Sequence, residues 1–436
     1  MAQHGVLPTL VRTCGIYPGR RRAAFLSERL CHMDPDSHIR RNLGAILRAG
    51  TVLRCRSRWE IDSAVPVAEP FGMNLSRCLW GLCLMVIGSA MTGPVHAQTA
   101  GSLAESLLAE TGSPGVGVAL YDGQVTDIAV AGERAKGSGV AVAPDDKWHM
   151  GSNGKALTAL LIARLTEQGR IGRDDTLGAT LGPVLPELHT GYADVTYDQL
   201  LAHRAGIRAN PGLRDLLAYA GDRTDPALDR REIVAKLLRQ PPRSAPGTQF
   251  LYSNAGYMTA GVMLEDATGR TWRALMQDEV FTPMGLGSAG FGAPGTPEAV
   301  DQPRGHKRGL MGLLPLRPVP PGPGADNIAA LGPAGTMHMS LDDHMRVLRA
   351  HLARNTDVLS SDGWNRLHVP APGVDYVGGW LIHAGIHLHN GSNTMWFNTA
   401  AMDLNSGRAI IIAFNAATPK VRALSQETAL RWLDAQ

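Results

Sequence analysis

The chain has 436 residues, of which 44% are hydrophobic and 19% charged, and its formal net charge is +3. This composition is typical of a globular protein with one large core or two smaller ones, and it excludes a fibrous or wholly disordered chain. Residues 1–72 hold eleven arginines against six acidic residues, so the mildly acidic remainder offers no electrostatic basis for nucleic-acid binding.

Residues 73–97 have the pattern of a secretory signal peptide. After Met73, Arg77 supplies a basic start, about fourteen mostly apolar residues follow, and Val95-His96-Ala97 fits a small-x-small cleavage site. The apolar run is shorter than the roughly 20 residues that span a bilayer. We therefore predict cleavage after Ala97 and a periplasmic or secreted protein without a stable membrane anchor.

Residues 1–72 precede this signal, although a signal peptide works only at the start of a chain. They are rich in arginine, show no apolar period and end directly before Met73. We interpret them as a segment that results from a start site assigned too far upstream. The alternative is a basic arm that binds nucleic acid or a membrane, and N-terminal sequencing of the exported protein distinguishes the two.

The domain that follows, residues 98–436, begins with a mixture of helix and strand. We predict a helix at 101–111 and then a hairpin of two alternating strands within 115–133 that turns at Asp122-Gly123. A helix opened by Ser152 carries one apolar stripe and stops at Gly169. Strands followed by a helix indicate a mixed layer architecture.

From about residue 170 to 335 the pattern becomes mainly helical and indicates an insertion. Its helices are predicted near 197–203, 229–239, 254–268 and 271–280, between loops rich in proline and glycine. The proline-rich stretch 316–326 reads as a structured connection. A helix at 341–353 capped by Ser340, two strands within 396–416 and a final helix at 420–434 complete the chain.

The first candidate motif is Ser152-Asn153-Gly154-Lys155, at the start of a predicted helix. Positions i and i+3 share a helix face, so the Lys155 amine can reach the Ser152 hydroxyl, and the helix N-terminus offers free N–H groups. A neutral lysine in this place can activate a serine nucleophile. The alternative is a serine that only caps the helix, beside an exposed lysine.

The second motif, Tyr252-Ser253-Asn254, lies where a strand-like segment runs into a helix. Tyr252 could serve as a general base if a nearby ammonium lowered its pKa, and Asn254 could donate to a substrate carbonyl. Alternatively, Tyr252 packs beneath a turn and Asn254 caps the helix.

The third motif is His389-Asn390-Gly391-Ser392. His149 and His383 also begin a histidine-x-glycine pattern, but only His389 precedes a Gly-Ser-Asn turn and a predicted strand pair. We therefore place His389 on an edge strand that lines a cleft.

Together, and in this order, the three motifs resemble those of the serine β-lactamase-related hydrolases, which include class C β-lactamases, DD-peptidases and family VIII esterases. The resemblance covers about residues 100–435 and extends to the segments LLAHRAGI (200–207), PGTQFLYSN (246–254) and GPAGTMHMS (332–340). It implies an α+β fold of the β-lactamase/transpeptidase type, with a mostly antiparallel sheet, helices on both faces and an inserted helical region. The active site would lie between these parts.

The resemblance also implies a role for each motif residue. Which of Lys155 and Tyr252 takes the serine proton stays open at this stage. The implied roles are Ser152 as acylated nucleophile, Lys155 as its proton partner, Tyr252 as base or proton relay, Asn254 as orienter of the substrate amide, His389 and Gly391 as third-motif residues that bind substrate, and the backbone N–H groups of Ser152 and Ser392 as the oxyanion hole.

His389 departs from the lysine that begins this motif in β-lactamases and DD-peptidases. A lysine is a permanent cation for a substrate carboxylate, whereas an imidazole titrates near about pH 6.5. We expect activity to follow the ionisation of His389, so that His389→Ala loses one limb of the pH profile near about pH 6–7. An unchanged profile would favour His383 as the motif residue.

The function predicted from these residues is an exported serine hydrolase that cleaves a carboxylic ester or amide through a Ser152 acyl-enzyme. One alternative is a class C-like β-lactamase or D-Ala-D-Ala carboxypeptidase, in which Arg304, Lys307 or Arg308 replaces the missing cation. Another is a penicillin-binding sensor or scaffold that does not turn over. The expected partner is a small-molecule ester, amide or β-lactam.

No metal or other cofactor is expected. All five cysteines precede residue 84, so the predicted domain has no thiolate ligand, disulfide or cysteine nucleophile. His203 and His306 have no carboxylate or second histidine at ligand spacing, and we expect each to be a surface or hydrogen-bonded histidine. No glycine-rich phosphate-binding pattern lies between a predicted strand and helix.

Overall fold

Residues 98–221, 225–309, 314–371 and 373–435 are described by the computed structural model. The predicted signal peptide, its cleavage site and the segment upstream of it lie outside these residues. Within the described part of the chain, no helix is both long and apolar enough to cross a bilayer.

The strands include the predicted hairpin within 115–133 and the predicted strand pair within 396–416. Short strands in the middle of the chain were not predicted. In chain order the strands are β1 (Gly115–Tyr121), β2 (Thr126–Gly132), β3 (Lys147–His149), β4 (Gly290–Phe291), β5 (His306–Arg308), β6 (Leu316–Pro318), β7 (Met337–Ser340), β8 (Tyr376–Val377), β9 (Trp380–His383), β10 (Ile386–Ser392), β11 (Phe397–Asp403) and β12 (Arg408–Phe414).

Each predicted helix is present, but the helices at 177–181, 213–218, 332–335 and 361–368 were not predicted. The first begins after Thr99, whose side chain accepts the Ser102 N–H, and ends at Gly112 with positive φ. In chain order the α-helices are α1 (Ala100–Thr111), α2 (Gly154–Glu167), α3 (Leu177–Leu181), α4 (Tyr197–Leu201), α5 (Leu213–Ala218), α6 (Pro226–Leu238), α7 (Asn254–Thr268), α8 (Trp272–Met276), α9 (Gly332–Gly335), α10 (Leu341–Ala353), α11 (Ser361–His368) and α12 (Pro419–Asp434).

The main sheet is antiparallel throughout, in the order β2-β1-β12-β11-β10-β9-β8. Its side chains alternate between two covered faces. Val116, Val118 and Leu120 pack with residues of α1 and α12, whereas Ala119 and Ile411 pack with residues of α10. Because both faces are buried by helices, the predicted α+β fold class is confirmed.

The region from 170 to 335 contributes no strand to this sheet in the residues described. It holds α3 to α9 and the short strands β4 to β6. Buried apolar side chains of this region, such as Val234, Met258 and Leu264, pack in one cluster with Leu160 and Leu161 of α2. The region therefore packs against α2, the helix that carries the first motif.

Helix α2 is buried on all sides, whereas the sequence predicted that only one apolar face of it would be buried. The stripe from Leu157 to Leu165 is buried, but Lys155 and Thr158 are fully buried as well. Ala156 packs in the sheet-side cluster while Leu157 packs with the helical region. The helix therefore lies between the two parts, and its polar side chains must find partners within the protein.

Candidate active site

Ser152 lies in a 3-10 turn, Gly151–Asn153, directly before α2. The sequence left open whether Ser152 only caps the helix. No side chain caps α2, so Ser152 does not have that role. Instead, its Oγ accepts a hydrogen bond from Lys155 Nζ at 3.0 Å. Asn153 Nδ2 donates to Asn398 Oδ1 at 2.9 Å and ties the turn to β11.

Two glycines allow the end of β10 to pack against this turn. Gly151 has a φ of +53°, and a Cβ there would lie 2.2 Å from the backbone nitrogen of Ser392. A Cβ on Gly391 would lie 1.8 Å from the carbonyl oxygen of Met150. Both positions therefore require glycine, and the structure brings the first and third motifs into backbone contact.

Lys155 is fully buried and makes three polar contacts. Its Nζ donates to Ser152 Oγ, to Asn254 Oδ1 at 2.7 Å and to the carbonyl oxygen of Ala334 at 2.6 Å. No carboxylate pairs with it among the described residues, and burial lowers the pKa of Lys155 well below its ordinary value. The exposed lysine of the alternative interpretation is thereby ruled out.

Tyr252 also contacts Ser152. Lys155 Nζ lies 5.0 Å from the centre of the Tyr252 ring. Burial raises the pKa of Tyr252 to about 12, and a hydrogen bond with the Ser152 side chain opposes this only in part. The phenol is therefore neutral at neutral pH, and the lowered pKa that a base would need is not found.

Asn254 is the first residue of α7, but it is not the cap. Ser253 caps the helix by accepting the Gly256 N–H at 2.8 Å. The Asn254 side chain instead accepts from Lys155 and donates through Nδ2 to Asn210 Oδ1 at 2.8 Å. The structure thus brings together Ser152, Lys155 and Asn254 from two separate helices.

His389 is buried beside Tyr252, with the two ring centres 6.2 Å apart. Burial, and then the nearby Lys155, lower the pKa of His389 to about 3. The expectation that activity follows His389 ionisation near about pH 6–7 is therefore wrong, because the buried imidazole stays neutral through that range.

The pH dependence of activity is consequently expected to survive replacement of His389. We expect His389→Gln to lower kcat/KM but to leave the shape of the profile between about pH 6 and 8 unchanged, since a neutral imidazole does not titrate there. Hydrolysis of p-nitrophenyl butyrate across this range, with the unchanged protein as control, provides the measurement. Loss of a limb near about pH 6–7 would contradict the neutral state.

The prediction of an edge strand for His389 needs correction. Strand β10 lies inside the sheet, between β9 and β11, but β9 pairs only with Ile386 to Leu388. The half of β10 from His389 onward therefore has one unpaired side. His383 pairs with Ile386 at the opposite end of β10, about 20 Å along the strand from Ser392. That distance excludes His383 as the motif residue.

His203 is a residue of the site whose importance was missed. We expected His203 to be either a surface histidine or a hydrogen-bonded one. It is hydrogen-bonded and fully buried. Its ring centre lies 4.3 Å from that of Tyr252, its Nδ1 accepts the Ser253 N–H at 3.1 Å, and its carbonyl accepts the Leu251 N–H at 2.8 Å. His203 therefore holds the backbone on both sides of Tyr252. The segment LLAHRAGI contained this signal without indicating its role.

A cationic side chain lies at the third motif, but it is none of the three residues suggested as replacements for the missing lysine. Arg304 donates to the carbonyls of Pro297 and Ala299, and Lys307 and Arg308 are exposed on β5. Arg422, near the start of α12, is exposed and donates to Ser392 Oγ at 3.2 Å. The sequence could not indicate Arg422, since only folding brings α12 to the end of β10.

His306 serves elsewhere in the fold. Its Nε2 accepts the Lys136 N–H at 3.0 Å, and its Nδ1 lies 2.7 Å from the carbonyl oxygen of Asn415. Among the residues with described placement, no group of three or more histidine, cysteine or acidic side chains is arranged to hold a metal ion.

Residues 101–431 match the protein-family model described as Beta-lactamase. The chain belongs to the Beta-lactamase family. The predicted resemblance to this family is thereby confirmed. The match spans the sheet, the helical region and all three motifs.

Two relatives of this Beta-lactamase family member share part of its sequence. Penicillin-binding protein 4 of Amycolatopsis lactamdurans is 31% identical over 188 residues, which cover 42% of this chain and 46% of the relative. Unguisins hydrolase ungD' of Aspergillus campestris is 25% identical over 270 residues, which cover 58% of this chain and 47% of the relative. The chain spans about half the length of each.

Solved structures show the same fold. The octameric penicillin-binding protein homologue of Pyrococcus abyssi has a TM-score of 0.61 at 22% identity and covers 76% of either chain. D-amino acid amidase of Ochrobactrum anthropi has a TM-score of 0.61 at 20% identity, covering 76% of this chain and 94% of the amidase. The D-stereospecific amidohydrolase of a Streptomyces species reaches 0.58 at 22% identity, covering 74% and 96%. At these identities the likeness concerns the fold alone.

Proposed function

We propose that this Beta-lactamase family member is an exported hydrolase that cleaves a carboxylic ester or amide through an acyl-enzyme on Ser152. The observation that carries the proposal is the 3.0 Å contact between Ser152 Oγ and Lys155 Nζ, with the lysine fully buried. A buried lysine without a carboxylate partner favours its neutral form. In that form the two N–H groups of the amine donate to Asn254 and Ala334, and the hydrogen bond with Ser152 reverses, so that the lone pair of the amine accepts from the serine hydroxyl. Export rests on the signal pattern of residues 73–97.

In the proposed acylation, Ser152 Oγ attacks the substrate carbonyl carbon while its proton passes to the Lys155 amine. The ammonium then protonates the departing alcohol or amine, and the tetrahedral intermediate collapses to an ester on Ser152. Water hydrolyses this ester by the same steps in reverse, again with Lys155 as proton acceptor. We assign the role of base to Lys155 and not to Tyr252, because burial favours the neutral form of the lysine.

Tyr252 and Asn254 have supporting roles in this proposal. A phenol with its pKa raised to about 12 does not act as the base; Tyr252 instead passes its proton to the leaving group and regains one from the Lys155 ammonium, which holds the proton taken from Ser152. Asn254, held by Lys155 and Asn210, is placed to orient the substrate amide or ester. The backbone contact between Gly151 and Ser392 supports an oxyanion hole made by the N–H groups of Ser152 and Ser392.

A second candidate is hydrolysis of a carboxylate-bearing substrate, such as a β-lactam or a D-Ala-D-Ala peptide. Arg422 favours it, because an exposed permanent cation contacts Ser392 at the end of the third motif. The neutral His389 supplies no positive charge to bind a substrate carboxylate. This favours an ester or amide substrate that carries no carboxylate. Structural neighbours described as a penicillin-binding protein homologue and a D-amino acid amidase fit either candidate.

The test compares kcat/KM for nitrocefin with that for p-nitrophenyl butyrate, using Ser152→Ala as the blank. We expect the ester to be hydrolysed with much the larger kcat/KM and both activities to be lost in the blank, since both depend on one nucleophile. A ratio in favour of nitrocefin would assign the β-lactamase function. A stable acyl adduct on Ser152 without turnover, detected by intact-protein mass, would assign the penicillin-binding sensor or scaffold.

A further inference from the structure

We propose that Asp326, with His149 and Asn393, forms a positioning network that holds the two backbone donors of the oxyanion hole in register. The inference rests on the proposed function, because it concerns how the Ser152 and Ser392 N–H groups are kept together. Asp326 ends the proline-rich stretch 316–326, for which the sequence predicted only a structured connection.

His149 connects Asp326 to the turn that carries Ser152. Its Nδ1 accepts the Gly151 N–H at 3.0 Å, and its Nε2 lies 2.7 Å from Asp326 Oδ1. An Nδ1 that accepts must be unprotonated, so the ring carries its proton on Nε2, the nitrogen that contacts the Asp326 carboxylate. The His149 side chain is fully buried, and its ring is stacked with that of Trp396 at 6.4 Å. The imidazole orientation is thereby fixed.

Asn393 connects the same carboxylate to the turn that carries Ser392. Its Nδ2 donates to Asp326 Oδ1 and to the Ala325 carbonyl, each at 3.1 Å. Its Oδ1 accepts the backbone N–H groups of Met395 and Trp396 at 3.2 and 3.1 Å. Asn393 therefore organises the β10–β11 turn and joins it to Asp326.

One oxygen of Asp326 thus serves both halves of the oxyanion hole, which lie about 240 residues apart in the sequence. The Asp326 side chain is only 6% exposed, and its Oδ1 also accepts the Asn327 N–H at 2.7 Å. Burying a carboxylate is costly unless polar groups contact it, and here the side-chain N–H of Asn393, the backbone N–H of Asn327 and His149 Nε2 all converge on Oδ1. None of these side chains is within hydrogen-bond contact of Ser152 Oγ, so their effect must pass through the backbone.

The expected consequence of losing this carboxylate is a misplaced oxyanion hole. Removal of one oxyanion donor lowers kcat by about 10²–10³-fold in a well-studied serine hydrolase, and a displaced donor acts in the same direction. Binding of the ground-state substrate depends much less on these N–H groups. A positioning role therefore predicts a fall in kcat with little change in KM.

The test uses Asp326→Asn in the full chain, which keeps the side-chain shape but presents an N–H or a weaker acceptor to His149. With p-nitrophenyl butyrate we expect kcat to fall by about 100-fold and KM to change by less than about threefold. The affinity for phenylboronic acid, which forms a tetrahedral adduct on serine, is expected to fall in parallel with kcat/KM. His149→Gln removes the acceptor for Gly151 and is the second variant if Asp326→Asn does not fold.

Glu265→Gln is the matched control, because Glu265 is a largely buried carboxylate that accepts from Arg230 and from the Trp272 N–H away from Ser152. It should lower thermal stability without changing kcat. The inference is overturned if Asp326→Asn keeps full kcat, or if both carboxylate variants lose activity in the same proportion to stability. Absence of hydrolysis and of Ser152 labelling in the unchanged protein would instead defeat the proposed function.

Discussion

Replacement of Lys155 by methionine is expected to lower kcat/KM by about 10²–10⁴-fold, the range typical for loss of a general base. Methionine keeps the volume of the buried side chain, so the change removes the amine with little repacking. Without the amine, the neutral phenol of Tyr252 is the one side chain among the described residues that remains hydrogen-bonded to Ser152 Oγ, and it is a poor proton acceptor. The measurement is steady-state hydrolysis of p-nitrophenyl butyrate together with labelling of Ser152 by a fluorophosphonate.

The pH profile adds a readout that a structural defect would not produce. If Lys155 accepts the proton, the acid limb of kcat/KM belongs to its lowered pKa, and this limb should be absent from the residual activity of Lys155→Met. Thr158→Val is the control, because Thr158 lies one turn along the same buried helix and donates to the Pro333 carbonyl at 2.9 Å. An intact acid limb in Lys155→Met, with Tyr252→Phe the more damaging change, would assign the base to Tyr252.

Acidification is expected to unfold the protein between about pH 6 and 5. Many of its histidines are buried, and burial is the main cause of their lowered pKa values. Those with lowered pKa are His203, His306, His338, His344, His351, His368, His387 and His389.

The direction follows from proton linkage. A histidine with a lowered pKa in the folded state binds a proton more readily once unfolded, so the free energy of unfolding decreases as the pH falls below about 6.5. Each such group removes about 2 kcal/mol between about pH 7.5 and 5. Five of them have folded pKa values of about 3 or about 4. Together these five remove about 10 kcal/mol, which is comparable with the whole stability of a domain.

Urea unfolding followed by circular dichroism at steps between about pH 7.5 and 5 measures this loss. His344→Leu removes one buried imidazole and is expected to move the acid midpoint to lower pH. His383→Leu, at an exposed position, is the matched control and should leave the midpoint unchanged. A free energy of unfolding that stays constant over this range would show that the buried imidazoles do not control stability.

The sequence determined the local features of the site well. Ser152 and Lys155 are three residues apart, and that spacing brings their side chains together at the start of any helix. The hairpin of β1 and β2, the pair β11 and β12 and the terminal helices were also predictable, because alternation and caps are local signals. The ordered motifs then led to the Beta-lactamase family.

Properties that depend on surroundings were not predictable in this way. His389 was expected to titrate near neutral pH because that is the behaviour of an imidazole in water, but its pKa depends on burial beside Tyr252 and Lys155. The edge-strand prediction failed for a related reason. Whether His389 has a neighbouring strand depends on where β9 stops pairing with β10. No local sequence pattern indicates that point.

The sequence alone thus determined which motif residues meet at the candidate site, since motifs and helix spacing are local properties of the chain. Only the tertiary structure decided how those residues are held: His203 behind Tyr252, Arg422 at Ser392, and Asp326 between the turns of Gly151 and Asn393. These contacts join segments that are far apart in the chain. The hydrogen bonds and charge states that result exist only once packing has excluded water from between the segments.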